Sequence, residues 1–266
     1  MHQPRELAAL IDLLGDPDPA VAGALASRLE SDSQLLDRVW LMAEAAGPVP
    51  EPLAIIALRA DAEALVDAYA AAEDLETGVW LLARLHLPRT DHRVRGAPQL
   101  DALAARIADR IADGASPDGR TSARFLCEAC GFAGDRETYD DPANSFLPQV
   151  LERRLGLPIA LTVLWMLIGR RLGLTCEGIA LPGHVLGRWA ANGAVGYLDL
   201  FAGGREVDRQ QLDLRARLAG EHNAEPYLAA ASDRALLKRL ARNLAVAYLK
   251  REDQLRATIA HALATV

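Results

Sequence analysis

LPIALTVLWMLIGRRLGLTCEGIALPGHVLGRWAANGAVGYLDLF (residues 157–201) changes character twice, and the fold follows from those changes. From Pro158 to Arg171 the apolar residues cover nearly every helical face, so this helix has to be buried centrally. Proline is tolerated in the first helical turn, and Gly173 supplies the stop. Strand patterns then begin: CEGIAL, HVLGRW and VGYLDLF, with a shorter REVD after Gly203-Gly204. Asn192-Gly193 is a favoured two-residue hairpin turn, so Ala191 opposes Ala194, Leu186 opposes Asp199 and His184 opposes Phe201. His184 and Asp199 then share one strand face as diagonal neighbours, with Cβ atoms roughly 7–8 Å apart. That is within reach of an imidazole–carboxylate hydrogen bond. A loop longer by one residue on one side would put them on opposite faces. A carboxylate in that position orients the ring, fixes its tautomer and favours its protonated form, which is the base-plus-orienter part of a catalytic triad. On the plainer reading, His184 closes the turn after Pro182-Gly183 and Asp199 caps a strand end.

The flanks are helical. RELAALIDLL, AVAGALASRLE and SQLLDRVWLMAEAA follow one another around GDPDP, and longer helical patterns continue to about residue 112. We read residues 1–113 as an N-terminal helical region, HEAT-like in part, and GASPDGRTS (114–122) as a boundary. Residues 114–222 form the core. Within it ARFLCEACGF reads as a helix ended by Gly131, and Asn144 or Ser145 as the N-cap of FLPQVLERR. Residues 223–266 read as a tetratricopeptide-like helical pair packed on the core.

Composition narrows the function. Hydrophobic residues make up 51% but aromatics only 5%, a mixture that favours packed helices. A formal net charge of -7 gives no general attraction for nucleic acid, and no such partner is expected. The pairs Arg153-Arg154 and Arg170-Arg171 read as solvated helix faces. Cys127, Cys130 and Cys176 have no framework spacing, which suits a reducing compartment. The opening MHQPRELAALIDLLGDPDP reads as an amphipathic helix rather than a leader. The most apolar run, Leu157 to Gly169, is shorter than the roughly 20 residues that cross a bilayer. A soluble, cytoplasmic protein without membrane partner, cofactor or metal is expected. His86 and His92, with Asp91 between them, are read as solvated loop residues.

DPANSFLPQVLERRLGLPIALTVLWMLIGRRLGLTCEGIALPGHVLGRW, followed by YLDLFAGG, resembles the SirB-type branch of the transglutaminase-like superfamily. The matching elements are the D-P-x-N-S segment, the arginine pair, G-L-P before the buried helix, P-G-H and the D-x-F-x-G-G ending. The resemblance implies an α+β fold: a papain-like core with a buried helix on a small antiparallel sheet, flanked by helices. It implies that His184 and Asp199 are the family's histidine and aspartate. The superfamily's nucleophilic cysteine belongs at the start of the buried helix, where the dipole favours thiolate. Here Pro158, Ile159 and Ala160 stand at that start, and Leu200 replaces the usual proline after the aspartate. Thr162 is the nearest hydroxyl, but a mid-helix threonine ordinarily bonds its own backbone. Cys127 and Cys130, three apart, read as core packing, as does Cys176.

The sequence therefore carries an orienting pair without an evident thiol. One reading is a binding module that holds a peptide or protein segment in the old cleft. Asn144, Ser145, Arg153, Arg154 and the helix start at Pro158, Ile159 and Ala160 would then line it, beside His184 and Asp199. A second is a cysteine-independent hydrolase or acyl transferase acting on amide or ester bonds, with His184 as base, Asp199 as orienter and the helix N–H groups facing an oxyanion. A structural scaffold is the third.

Overall fold

The computed structural model describes residues 4–266. Six helices come first: α1 (Pro4–Leu13), α2 (Pro19–Ser31), α3 (Ser33–Ala46), α4 (Glu51–Ala70), α5 (Leu75–Ala83) and α6 (His92–Ala112). Aspartates open four of them. Asp18, Asp32, Asp74 and Asp91 each accept a backbone N–H from the first turn of α2, α3, α5 and α6. The first three helices and the start of α4 close over their own cluster around Leu29, Leu36, Val39, Trp40 and Leu53.

The rest is an α+β arrangement. Asp118 caps α7 (Gly119–Arg124), which runs into a π-helical turn (Phe125–Ala129). A two-residue parallel pair, β1 (Ala133–Gly134) with β2 (Leu155–Gly156), brackets a 3-10 turn (Pro142–Asn144) and α8 (Leu147–Arg153). Then come α9 (Pro158–Arg171) and four antiparallel strands in sequential order, β3 (Thr175–Leu181), β4 (His184–Ala191), β5 (Ala194–Asp199) and β6 (Arg205–Val207). α10 (Arg209–Leu218) follows, and α11 (Asp233–Lys250) and α12 (Gln254–Thr265) form a closing helical hairpin.

Every residue of α9 from Pro158 to Gly169 is buried, as its all-round apolar pattern requires. The helix lies on β3 and β4. Gly187 permits that approach, because a Cβ there would sit 2.7 Å from the Trp165 ring. Trp165 is fully buried and its indole N–H is satisfied by the Gly119 carbonyl at 3.0 Å and Ser122 Oγ at 2.9 Å. The other sheet face packs Ile179, Leu181, Leu186 and Val207 against Leu212 and Ala216 of α10. The sheet is thus covered on both sides, by α9 and by α10.

Four local readings needed correction. The N-cap of α8 is Phe146, with no side-chain cap, because Asn144 and Ser145 are spent on the preceding 3-10 turn and its contacts. α10 did not emerge from the hydrophobic pattern; a capping box between Asp208 and Gln211 starts it. Arg171 is not a solvated face residue: it pairs with Glu76 at 2.8 Å and Asp101 at 2.6 Å, tying α9 to α5 and α6. The segment ARFLCEACGF is not one α-helix, since it widens into the π turn at Phe125.

Replacing Trp165 by Phe removes a buried donor from two acceptors and shrinks the central ring. We expect a loss of roughly 2–4 kcal/mol of unfolding free energy in urea titrations. A near-neutral effect would mean that this indole does not hold α7 against α9.

Candidate functional site

The Asn192-Gly193 turn, with φ of 50 and 78°, sets the hairpin register: Ala191 pairs with Ala194 and Gly187 with Leu198. Leu198 and Leu200 turn to the α9 side with Val185 and Trp189. His184, Leu186 and Asp199 take the opposite face, the one α10 covers. β5 ends at Asp199, and the chain then wraps back on it. The Ala202 N–H lies 3.1 Å from Asp199 Oδ1, and the Gly204 N–H donates to the Asp199 carbonyl at 2.8 Å. Gly203 and Gly204 hold φ of 83 and 71°, which side chains other than hydrogen avoid.

Asp199 is 3% exposed. Its Oδ1 sits 3.2 Å from His184 Nε2, and its Oδ2 accepts Arg215 Nη2 at 2.7 Å. Burial alone would push this carboxyl up. The hydrogen bonds and charges of His184 and Arg215 outweigh burial and hold it down at about 2. A carboxylate beside Nε2 favours a proton on that nitrogen and leaves Nδ1 without a partner among the described residues. The ring also stands edge-on to Phe201, with centroids 6.3 Å apart, and Phe201 meets Tyr139 edge-on at 5.9 Å. The open cleft at His184, about 400 Å³, is lined by Pro182, Arg215, Leu218 and Ala219.

Other residues singled out from the sequence lie elsewhere. Pro158, Ile159 and Ala160 are buried at the start of α9 and do not line this cleft. Thr162 donates to the Pro158 carbonyl at 2.8 Å. Asn144 is fully buried, with its amide on the Thr138 carbonyl at 2.6 Å and its oxygen accepting Arg153 Nη1 at 3.2 Å. Arg153 also pairs with Asp135 at 3.0 Å, so these residues brace the 135–144 loop. Ser145 is buried, and Arg154 takes the left-handed position that ends α8. Arg215 was missed by sequence reasoning. The capping box that starts its helix was the available signal.

The thiols are sheltered. Cys127 is half-buried beneath the turn after Asp199, 3.9 Å from the Leu200 carbonyl, and Cys130 and Cys176 are buried. Burial pushes Cys127 and Cys176 up to about 12, with the charges of Glu128 and Asp199 adding to the effect at Cys127. Burial raises Cys130 as well. Among the described residues no group of three His, Cys, Asp or Glu side chains is placed to hold a metal ion. His92 is not a solvated loop residue: it is buried at the start of α6 and turned to the Leu87 carbonyl at 3.1 Å, and His86 stacks on Phe146. Among the described residues no helix is long and apolar enough to cross a membrane.

The depressed Asp199 carboxyl has a stability signature. Its contribution is present above the ordinary carboxylate range and is lost as pH falls from about 4 to about 2. The gap in unfolding free energy between the native chain and Asp199→Asn should therefore shrink by about 2 kcal/mol over that window. A gap independent of pH would show that Asp199 is not held charged.

Residues 96–242, just over half of the chain, match the family model described as the transglutaminase-like superfamily. A UPF0162 protein of Xylella fastidiosa (strain Temecula1) is 41% identical over 131 residues, which cover 47% of this chain and 47% of that protein. A UPF0162 protein of Pseudomonas aeruginosa is 34% identical over 175 residues, 64% of this chain and 62% of its own. F-box only protein 21 of Homo sapiens is 31% identical over 128 residues, 45% of this chain but 20% of that protein. The match to the first of these relatives thus spans about half their length, and no solved structure matches significantly. With a buried helix laid on an antiparallel sheet, and a histidine and aspartate meeting at the end of its hairpin, this chain belongs to the transglutaminase-like superfamily.

Proposed function

We propose that this chain is a binding module of the SirB-type branch, holding a peptide or protein segment in the cleft beside His184. The observation that carries this reading is the direction in which the pair faces. His184 and Asp199 lie on the α10 side of the sheet, and their cleft is walled by Pro182, Arg215, Leu218 and Ala219. The start of α9, where the superfamily's thiol chemistry belongs, carries Pro158, Ile159 and Ala160 instead, all buried. Leu218 is 80% exposed, an apolar wall next to a charged and hydrogen-bonded floor. An apolar surface with a few convergent polar groups is what a bound segment needs for affinity and register.

A cysteine-independent hydrolase or acyl transferase is the second reading. It is favoured by one observation: His184 keeps Nδ1 free while Asp199 holds Nε2 at 3.2 Å, the arrangement of a base with its orienter.

Alkylation with iodoacetamide separates these readings from thiol chemistry. Followed by peptide mass spectrometry, Cys127, Cys130 and Cys176 should stay unlabelled in the native protein from about pH 5 to 9, and label on denaturation. Fast native labelling of Cys127 that disappears in His184→Ala would return a thiol enzyme. Binding and hydrolysis separate on His184→Ala itself. The binding module loses affinity for its segment and has no turnover to lose, whereas a hydrolase loses turnover in both His184→Ala and Asp199→Ala.

A further inference from the structure

Around the Pro182-Gly183 turn and the Phe201 ring stand three arginines for which, among the described residues, no ion pair with a carboxylate forms, in a chain whose net charge is -7. Arg239, on α11, is half-buried. Its Nη1 donates to the Leu181 carbonyl at 2.9 Å, and Leu181 is the cross-strand partner of His184 at the Pro182-Gly183 turn. Arg242 is exposed one turn further along α11 and adds its charge to that of Arg239. Arg136, exposed on the loop after β1, stands 5.8 Å over the Phe201 ring, whose edge meets both His184 and Tyr139.

The nearby acids are already engaged. Asp135 is held by Arg153, Asp140 by Lys250 at 2.6 Å, Asp141 by Arg251 at 3.1 Å and Asp199 by Arg215. Glu137, exposed on the loop of Arg136, makes no ion pair among the described residues. A partly buried guanidinium without a counter-ion is costly, and burial together with Arg242 holds Arg239 below its ordinary value. Bracing the Leu181 carbonyl takes one N–H of the five that a guanidinium offers. The others match the two oxygens of a carboxylate.

We propose that Arg239, Arg242 and Arg136 form a specificity subsite beside the cleft, at the Pro182 turn and the Phe201 ring, reading an aspartate or glutamate side chain of the bound segment. The inference rests on the binding reading above. The ligand class is thus an acidic peptide, with its carboxylate at the Pro182 turn and its neighbouring residues along His184 and Leu218.

The test is a selection of random dodecapeptides displayed on phage against the immobilised full chain. A fluorescein-labelled selected peptide, and its copy with Asp and Glu replaced by Asn and Gln, are then titrated by anisotropy. The proposal expects acidic residues to be enriched and the neutralised copy to bind at least about tenfold more weakly. Arg239→Gln should cost a similar factor for the acidic peptide and nothing further for the neutral copy. Arg136→Gln and Arg242→Gln, both at exposed positions, should each weaken acidic binding, so the test survives if Arg239→Gln disturbs α11. Selected peptides without acidic enrichment that still depend on His184 would overturn the arginine subsite and leave the binding reading standing. Enrichment of no peptide over an unrelated control protein would overturn both.

Discussion

A carboxylate as buried as Asp199 stays charged only if donors surround it, and that requirement organises this end of the molecule. Its donors come from three places: the His184 ring at the start of β4, the Ala202 N–H in the turn, and Arg215 on α10. The glycine pair at 203 and 204 lets the turn close over the carboxyl, and the capping box at Asp208 starts α10 so that Arg215 reaches it. Withdrawing any one donor leaves a buried charge short of partners, which costs far more than an exposed ion pair contributes.

The same constraint decides which side of the sheet carries the polar chemistry. Alternation along β4 and β5 sends Val185, Trp189 and Leu198 into the main core with α9, and His184, Leu186 and Asp199 toward α10. The buried helix therefore serves mainly as a hydrophobic floor. Its one hydroxyl, Thr162, is turned back onto the Pro158 carbonyl. Cys127 is the thiol that feels the Asp199 charge, and that charge, added to burial, disfavours its thiolate. Cys127 and the pair are thus neighbours in space.

Much of the architecture could be read from residue patterns alone, for reasons specific to each element. The all-round apolar run after Pro158 admits no exposed helix, and Asn192-Gly193 fixes a register in which His184 and Asp199 share a face. What escaped the sequence was tertiary. FLPQVLERR offers Asn144 and Ser145 as caps, yet Asn144 is drawn away by Thr138 and Arg153. Cys127 and Cys130 have α-helical spacing, but the π turn separates their environments and leaves only Cys130 buried. α10 is polar over most of its length, so hydrophobic periodicity passes over it. With it went Arg215, the residue that completes the site.

The candidate site depends on His184 being held by Asp199 through Nε2. The most direct measurement is a long-range proton–nitrogen NMR correlation of the imidazole, assigned by its disappearance in His184→Ala, in the native chain and in Asp199→Asn. The native chain should give the Nε2–H tautomer with Nδ1 bare, and Asp199→Asn should lose that fixed pattern. An Nδ1–H tautomer, or a ring averaging between tautomers in the native chain, would contradict the carboxylate-held histidine on which the cleft and its proposed ligand depend.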